Sequence, residues 1–443
     1  MHVVLLPLVA VLLVVPVVVA QASDQANRSE VAPPSSAAPR SAASEQVLTL
    51  DQAMLLAEDA NPELRRTLAL RSSAEGEAAD ANTILWNNPE LSAERTRRVV
   101  PQGPGITETQ REWSAGLSQT FEIAGQQGHR RGAARQELDA LNASIEDARI
   151  VLRSEVERQF VHVISMQERL ATERLAVSII EETSVSVQKR VVAGEDSRLD
   201  GNLASIEAVR ARNQAGALEE QLLEARRELA AILQLPPGSL PVAVGVLTAV
   251  RPVPSLETLL DRAASRPALR ALGHREQAAK QRVQLERSAR YPDITLGLAT
   301  AREGAASTRE RVTTLSLSVP LPLFRRNASG IGRAVTELTQ TEIERQAAER
   351  NGKADVVVLW QKRQSLQKRV VALQTSILPV LEENQRLSMT SLRAGEISLV
   401  QLLLVNRQML DGRRDLIEAQ TELRMAAIAL ALARGPGHGE VGP

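Results

Sequence analysis

The run GHRRGAARQELDALNASIEDARIVLRSEVERQFVHVISMQERLATERLAVSIIEETSVSVQKRVV, residues 128–192, decides the fold. Leu138, Leu141, Ile145, Ala148, Leu152, Val156, Phe160, Val163, Met166, Leu170, Val177 and Ile180 recur through it mostly at steps of three and four. That spacing predicts an α-helix with one apolar stripe. No proline interrupts the run, and Glu, Arg, Gln and Ala fill its other faces. Some 60 residues at ~1.5 Å each make a rod about 90 Å long. An average helix has only about 11–12 residues, so this one needs a partner along its length.

A second run, from about Ala328 to Leu392, carries the stripe Leu366, Val370, Leu373, Ile377, Val380 and Leu387. Around the two runs the chain repeats itself. Asn61-Pro62-Glu63-Leu64-Arg65 matches Arg266-Pro267-Ala268-Leu269-Arg270, and Asn88-Pro89-Glu90-Leu91 matches Tyr291-Pro292-Asp293-Ile294. Leu117-Ser118 matches Leu317-Ser318, and Ala193-Gly194-Glu195 matches Ala394-Gly395-Glu396. The offset stays near about 200 residues, far above the repeat length of a solenoid. Two halves of like architecture, each holding one rod, are expected.

Composition narrows the function. The 443 residues carry 53 basic and 53 acidic side chains, so no bulk electrostatic pull toward nucleic acid or anionic lipid follows. The absence of cysteine excludes disulfides, thiolate metal sites, cysteine nucleophiles and an acylated N-terminal Cys. Three Trp, three Phe and one Tyr are few for a compact enzyme core. The five His show no ligand spacing, and His129, His162 and His274 read as surface or packing residues. No nucleophile–base, metal-ligand or phosphate-loop pattern appears. Catalytic residues, cofactor and bound metal are each expected to be none.

Residues 1–22 read as a signal peptide: Val3 to Ala20 is apolar, and small residues follow at Ala20-Gln21-Ala22. An uncleaved anchor is the alternative. Residues 23–47, rich in Ala, Ser and Pro, read as a flexible leader. Thr49 is placed to cap a helix that runs to about Leu85, with a break at Asn61-Pro62. Then the period changes to two. Residues 90–98 and 112–121 read as strands around a Pro/Gly-rich loop, Val99 to Ile106. Trp113, Leu117 and Phe121 alternate with Ser114, Gly116, Ser118 and Thr120. In the second half Ile294 and Leu296, then Leu315 and Leu317, alternate with small or polar residues. Each segment has about the ten residues that a tilted strand needs to cross a bilayer. Trp113, Leu117, Ile294, Leu296, Leu315 and Leu317 are the expected lipid-facing residues. The alternative is an amphipathic hairpin on a soluble core. Four strands cannot close a barrel, but three copies would supply twelve.

Each rod ends at Ala-Gly-Glu and is followed by a shorter helix. The helices of residues 50–85 and 197–234, end to end, come to about the length of one rod. The expected units are a first half over 48–240 with a hairpin at 90–121, and a second over 241–434 with a hairpin at 292–321. Residues 435–443 are expected to be a disordered tail.

This arrangement resembles the TolC-like outer-membrane efflux protein family. The resemblance lies in Leu48-Thr49-Leu50-Asp51-Gln52-Ala53, Asn61-Pro62-Glu63-Leu64, Trp86-Asn87-Asn88-Pro89 and Leu117-Ser118-Gln119-Thr120-Phe121-Glu122, and in the tips Val192 to Asp200 and Leu392 to Ser398. Phe121 to Arg130 and Val319 to Asn327 are similar to the heavy-metal, cobalt-zinc-cadmium branch. The resemblance covers residues ~48–434 and implies a mainly α fold with a small transmembrane β part. Long antiparallel helical hairpins would form a periplasmic α-barrel, and four strands per protomer a trimeric 12-stranded β-barrel. Implied partners are two further copies, a periplasmic adaptor, an inner-membrane pump of the resistance-nodulation-division type and outer-membrane lipid. The implied function is a passive exit duct for metal cations; a duct for drugs or other small molecules, or a periplasmic coiled-coil protein, are the alternatives. Three features depart from the family: Val191 and Leu392 stand where an aromatic is common near the tip, the lipidation Cys of many relatives is absent, and the aromatic girdle is sparse for a barrel, with only Trp113, Tyr291 and Trp86 to supply it.

At the tips, Gly194 and Gly395 are suited to the positive φ of a tight helix–helix turn. In a trimer Glu195, Asp196, Asp200 and Glu396 would form acidic rings that attract cations. Equally, they are charges that favour the dipole of the returning helix. Val192, Ala193, Gly194, Arg393, Ala394 and Gly395 are the expected adaptor contacts.

Overall fold

The computed structural model describes residues 46–248, 254–304 and 309–435. The signal segment, the leader as far as Glu45 and the tail beyond Gly435 lie outside the described residues. In chain order the elements are β1 (Val47–Leu48), α1 (Leu50–Ala60), α2 (Pro62–Ala81), β2 (Glu90–Gly103), β3 (Ile106–Phe121), α3 (Gln126–Ala193), α4 (Arg198–Ile232) and β4 (Val242–Ala243). They continue with α5 (Leu256–Ala264), α6 (Pro267–Ser288), β5 (Ile294–Glu303), β6 (Glu310–Ser318), α7 (Ala328–Ala372), α8 (Leu378–Arg393) and α9 (Leu399–Arg434). Val47, placed in the leader by the sequence, is already in a strand, paired in parallel with Val242.

The first rod is the 68-residue α3, about 100 Å long. Helices α2, α4, α6 and α9 all pack on it. Its middle holds the main core, where Val156, Phe160, Val163, Met166 and Leu170 meet Leu222 and Leu229 of α4 and Leu48 of β1. Toward its N-terminal end the stripe changes character. Leu138 and Leu141 are only half-buried, while Ala133, Ala140 and Ala143 are buried. Opposite them α6 buries Ala271, Ala278 and Ala279, so small side chains let the backbones approach. His129 and His274 bridge this seam, bonded to Gln281 at 3.1 Å and Gln136 at 2.9 Å.

Helix ends follow their sequence signals. Thr49 and Gln52 form a capping box at α1. Asn61 Oδ1 accepts from the backbone N–H groups of Glu63 and Leu64 at 3.0 and 3.1 Å, with Pro62 in the first turn of α2, where its missing N–H costs nothing. Helix α2 stops at Ala81, not near Leu85. Its last carbonyl is taken from outside: Gln127 Nε2 and Arg131 Nε donate to Ala81 O at 2.7 and 3.2 Å, and Arg131 Nη2 donates to Thr83 O, just beyond the helix, at 2.6 Å.

The second rod is helical from Ala328 to Arg393, but its α hydrogen-bond ladder is interrupted. Between α7 and α8, Leu373–Ile377 form a π turn in which the N–H of Leu378 donates to Leu373 O. Pro379, in the first turn of α8, has no N–H to continue the α ladder, and the extra residue absorbs that loss. The insertion rotates the stripe. Leu366, Val370 and Leu373 are buried against α9, whereas Ile377, Val380 and Leu387 are exposed.

The four long strands form one antiparallel sheet in the order β2-β3-β5-β6. The expected loop Val99 to Ile106 is mostly strand, because pairing continues through Val99↔Thr109 and Pro101↔Thr107 to Gly103. β2 is an edge strand, where proline is tolerated.

Candidate functional site: the helical tips and the strand face

Two places can do something besides hold the fold together. The first is the end of the helical body where α3 turns into α4 and α8 into α9. Gly194 closes α3 with φ 80° and Gly395 follows α8 with φ 75°, both left-handed. Ser197 caps α4, its Oγ accepting from Asp200 N at 3.2 Å and donating to Asp200 Oδ2 at 2.6 Å. Ser398 caps α9 in a box with Gln401. Val187, Ala204 and Leu399 pack together with Val191 and Leu403, which brings α9 against the first tip.

The four tip carboxylates are not equivalent. Asp196 is bound by Arg190 Nη2 at 2.9 Å and its side chain is 17% exposed. Asp200 serves the cap. Glu195 lies 3.7 Å from Arg190 Nε with its side chain 64% exposed. Glu396 accepts from Ser391 Oγ at 3.0 Å. Val192 and Leu199 are exposed at 89% and 66%, and Ala193, Gly194, Ala394 and Gly395 are exposed beside them. The Arg393 side chain lies outside the described residues. Sequence reading missed Arg190, whose partner is six residues on across a turn, and it missed the Leu399 seat; an arginine just before a glycine turn with acids after it was the available signal.

The second place is the sheet. Its register places Trp113, Leu117, Ile294, Leu296, Leu315 and Leu317 on one face. Leu117 pairs with Leu298 and Leu298 with Leu315, Phe121 pairs with Ile294, and Leu296 pairs with Leu317. Leu91 of β2 joins them opposite Leu117. Most of these side chains are exposed, Leu315 and Leu317 at 80% and 67%. The opposite face is small and polar: Ser92, Gly116, Ser118, Thr120, Thr295, Gly297 and Ser316. There Thr120 and Thr295 hydroxyls meet at 2.9 Å. A Cβ on Gly116 would lie 3.0 Å from Ser92 Oγ, and one on Gly297 would collide with Ser316 Oγ.

Sheet and rods are joined by left-handed residues, Gly125 before α3 and Asn327 before α7. Below Gly125, Arg130 holds Glu122 through two bonds of 2.9 and 2.6 Å, and its guanidinium lies 3.8 Å over the Trp86 ring. No helix among the described residues is long and apolar enough to cross a membrane; that leaves the sheet's uncovered apolar face as the surface to be explained. No cluster of His, Asp and Glu that could hold a metal ion occurs among the described residues.

An amphipathic antiparallel sheet set on long helical hairpins defines the class of the outer-membrane channel proteins. The chain belongs to the outer membrane efflux protein family, whose model matches residues 40–234 and 259–436. It is 26% identical to the cobalt-zinc-cadmium resistance protein CzcC of Cupriavidus metallidurans, over 83% of this chain and 85% of that protein. It is 25% identical to the nickel and cobalt resistance protein CnrC of the same organism, over 63% and 67%. The pyoverdine export outer membrane protein OpmQ of Pseudomonas putida is 25% identical over 66% of each chain. Among solved structures the fold matches CusC with a TM-score of 0.73 at 22% identity, covering 88% of this chain and 92% of that one. It matches the outer membrane protein VceC of Vibrio cholerae with a TM-score of 0.73 at 18% identity, covering 88% and 96%. The protein is an efflux duct of the cell outer membrane, with its helical part in the periplasm.

Proposed function

We propose that three copies of this chain close a twelve-stranded barrel and serve as the exit duct of a tripartite efflux system that carries metal cations. The observation that carries the reading is the sheet with one apolar face and two open edges, β2 and β6. Open edges and an uncovered apolar face are costly in water. The strands alternate in direction, so β6 of one copy meets β2 of the next antiparallel, and each copy adds an even number of strands. The small polar face then lines a wet lumen.

The duct does no covalent chemistry in this reading. The two halves, 48–240 and 241–434, are an internal repeat, each contributing one hairpin to the barrel and one tip to the periplasmic end. At that end Val192, Ala193, Gly194, Arg393, Ala394 and Gly395 receive the adaptor, and the exposed Val192 and Leu199 offer it apolar contact. The adaptor and an inner-membrane pump of the resistance-nodulation-division type open the duct and choose the cargo. The cation assignment is supported by the names of CzcC and CnrC. The name of OpmQ supports a second reading, a duct for larger molecules. Deleting the gene and scoring resistance to cobalt, zinc, cadmium and nickel tests the cargo. Unboiled gel electrophoresis of the outer-membrane fraction tests the assembly, where a heat-modifiable trimer is expected and a periplasmic monomer would overturn the barrel.

A further inference from the structure

The sheet is sorted by charge near its hairpin end. Arg95, Arg97, Arg111, Arg302 and Arg311 share the face of the leucines: Arg95 pairs with Trp113, Trp113 with Arg302, Arg302 with Arg311, and Arg97 with Arg111. All five are exposed. Glu94, Glu108, Glu112, Glu303 and Glu310 occupy the opposite face, where Glu112 already holds Arg98 at 3.2 Å. Among the described residues none of the five arginines forms an ion pair with a carboxylate.

Two of the pairings, Arg97 with Arg111 and Arg302 with Arg311, set like charges directly opposite each other. Such pairs destabilise a sheet unless a counter-charge lies between them, and this face supplies none. The row of Trp113 also marks a boundary. Arg302 Cζ lies 5.8 Å over the Trp113 ring, and Trp is enriched where membrane meets water. From Phe121 to Trp113 the strand runs about 27 Å, which at a tilt of about 35–45° covers about 20 Å of height, most of the ~25 Å apolar band of a membrane barrel. The arginines begin at the far edge of that band.

We propose that these five arginines form an outward belt that binds the phosphate groups of the lipid headgroups in the leaflet at the hairpin end. Guanidinium groups recognise phosphate through paired hydrogen bonds, and a phosphate between each arginine pair removes the repulsion. The inference rests on the membrane-barrel reading.

The test uses the full chain, purified in neutral detergent and titrated with bisphosphorylated lipid A while thermal stability and heat-modifiability are followed. Comparison proteins are the quadruple variant R97Q/R111Q/R302Q/R311Q, its Arg→Lys counterpart, and R98Q from the opposite face. The wild type and R98Q are expected to be stabilised alike. Each lost pair is expected to weaken the response about 30-fold, since one arginine near a charged surface contributes ~1 kcal/mol. The Lys counterpart is expected to fall between. A quadruple variant that stays heat-modifiable and responds to lipid A as the wild type does overturns the belt alone. Equal stabilisation by dephosphorylated lipid A, or by inorganic phosphate without lipid, also overturns it. A wild type that never becomes heat-modifiable overturns the barrel reading, and the belt with it.

Discussion

Arg190 reaches across the Gly194 turn to Asp196, its Nη2 2.9 Å from Oδ1. The pair neutralises one of the four carboxylates expected to draw cations to the tip, and Asp200 is engaged in capping α4. The more available charges are those of Glu195 and Glu396. In planar bilayers, E195Q/E396Q is expected to lower the preference for cations over anions more than D196N/D200N does. Reversal potentials in a salt gradient measure it, and equal effects from the two doubles would refute the ranking.

Gly194 has φ 80° and nothing within 4 Å of where a Cβ would stand. The obstacle to a side chain is therefore backbone conformation, about 1–2 kcal/mol for an ordinary L-residue and less for Asn. G194N is expected to retain resistance. G194V is expected to lose it while the protein still reaches the outer membrane. Full resistance with G194V would count against docking at the tip.

Glu276 joins α6 to α7, with Lys280 Nζ at 2.6 Å and Arg345 Nε at 2.5 Å. The hydrogen bond from Lys280, then Arg345, holds its carboxyl below the usual carboxylate range despite burial. A depressed folded-state pKa gives stability that is present above the unfolded value of about 4.3 and is lost as pH falls through the folded one. Thermal melts between about pH 6 and pH 3 are expected to show this loss in the wild type and a flatter profile in E276Q. At neutral pH E276Q is expected to be about 1–3 kcal/mol less stable, because two cations exchange a carboxylate for one neutral acceptor oxygen. Parallel pH profiles for the two proteins would refute this.

Glu173 of α3 and Arg414 of α9 are separated by 241 residues and form two bonds of 2.5 and 2.9 Å, with the Glu173 side chain 4% exposed. E173A leaves Arg414 without its main acceptor, only Asp411 remaining at 2.9 Å. A loss of about 2–4 kcal/mol is expected, toward the low side because Arg414 is partly solvated. R414A is expected to cost at least as much, since it strands the buried carboxylate. Denaturant melts decide, and a change below about 0.5 kcal/mol in both variants would show that the pair does not hold α9 to α3.

The rods, caps and tip turns were legible because they depend on local patterns: the step of three and four from Leu138 to Leu170, Thr49 with Gln52, and glycine after a helix. The π turn was not, because Leu373 to Leu387 keeps its helical spacing and only Pro379 signals the extra residue. The end of α2 differs from the expected one by a few residues because Gln127 and Arg131, more than 40 positions away, take the carbonyl of Ala81. The strands ran beyond their alternating apolar cores because pairing, not hydropathy, carries Val99 to Gly103. The tip carboxylates were found as residues but not as partners. Arg190 with Asp196 is a contact made by a turn, and composition is silent about it.

Leu317 and Ser316 are neighbours in β6 that lie on opposite faces, Leu317 opposite Leu296 and Ser316 opposite Gly297. A barrel and a soluble hairpin make different demands on them. If the leucine face meets lipid, L317R places a charge inside the apolar band, one row in from Phe121, at a cost below the about 2–4 kcal/mol per copy of the midplane but well above zero. If that face meets water, the same change is nearly neutral. S316D adds its charge to the small polar face, where a wet lumen tolerates it and a packed core does not. The barrel therefore requires loss of the heat-modifiable form with L317R and its retention with S316D. The reverse pattern would place the leucines in water and Ser316 in a core, and the duct would have no wall.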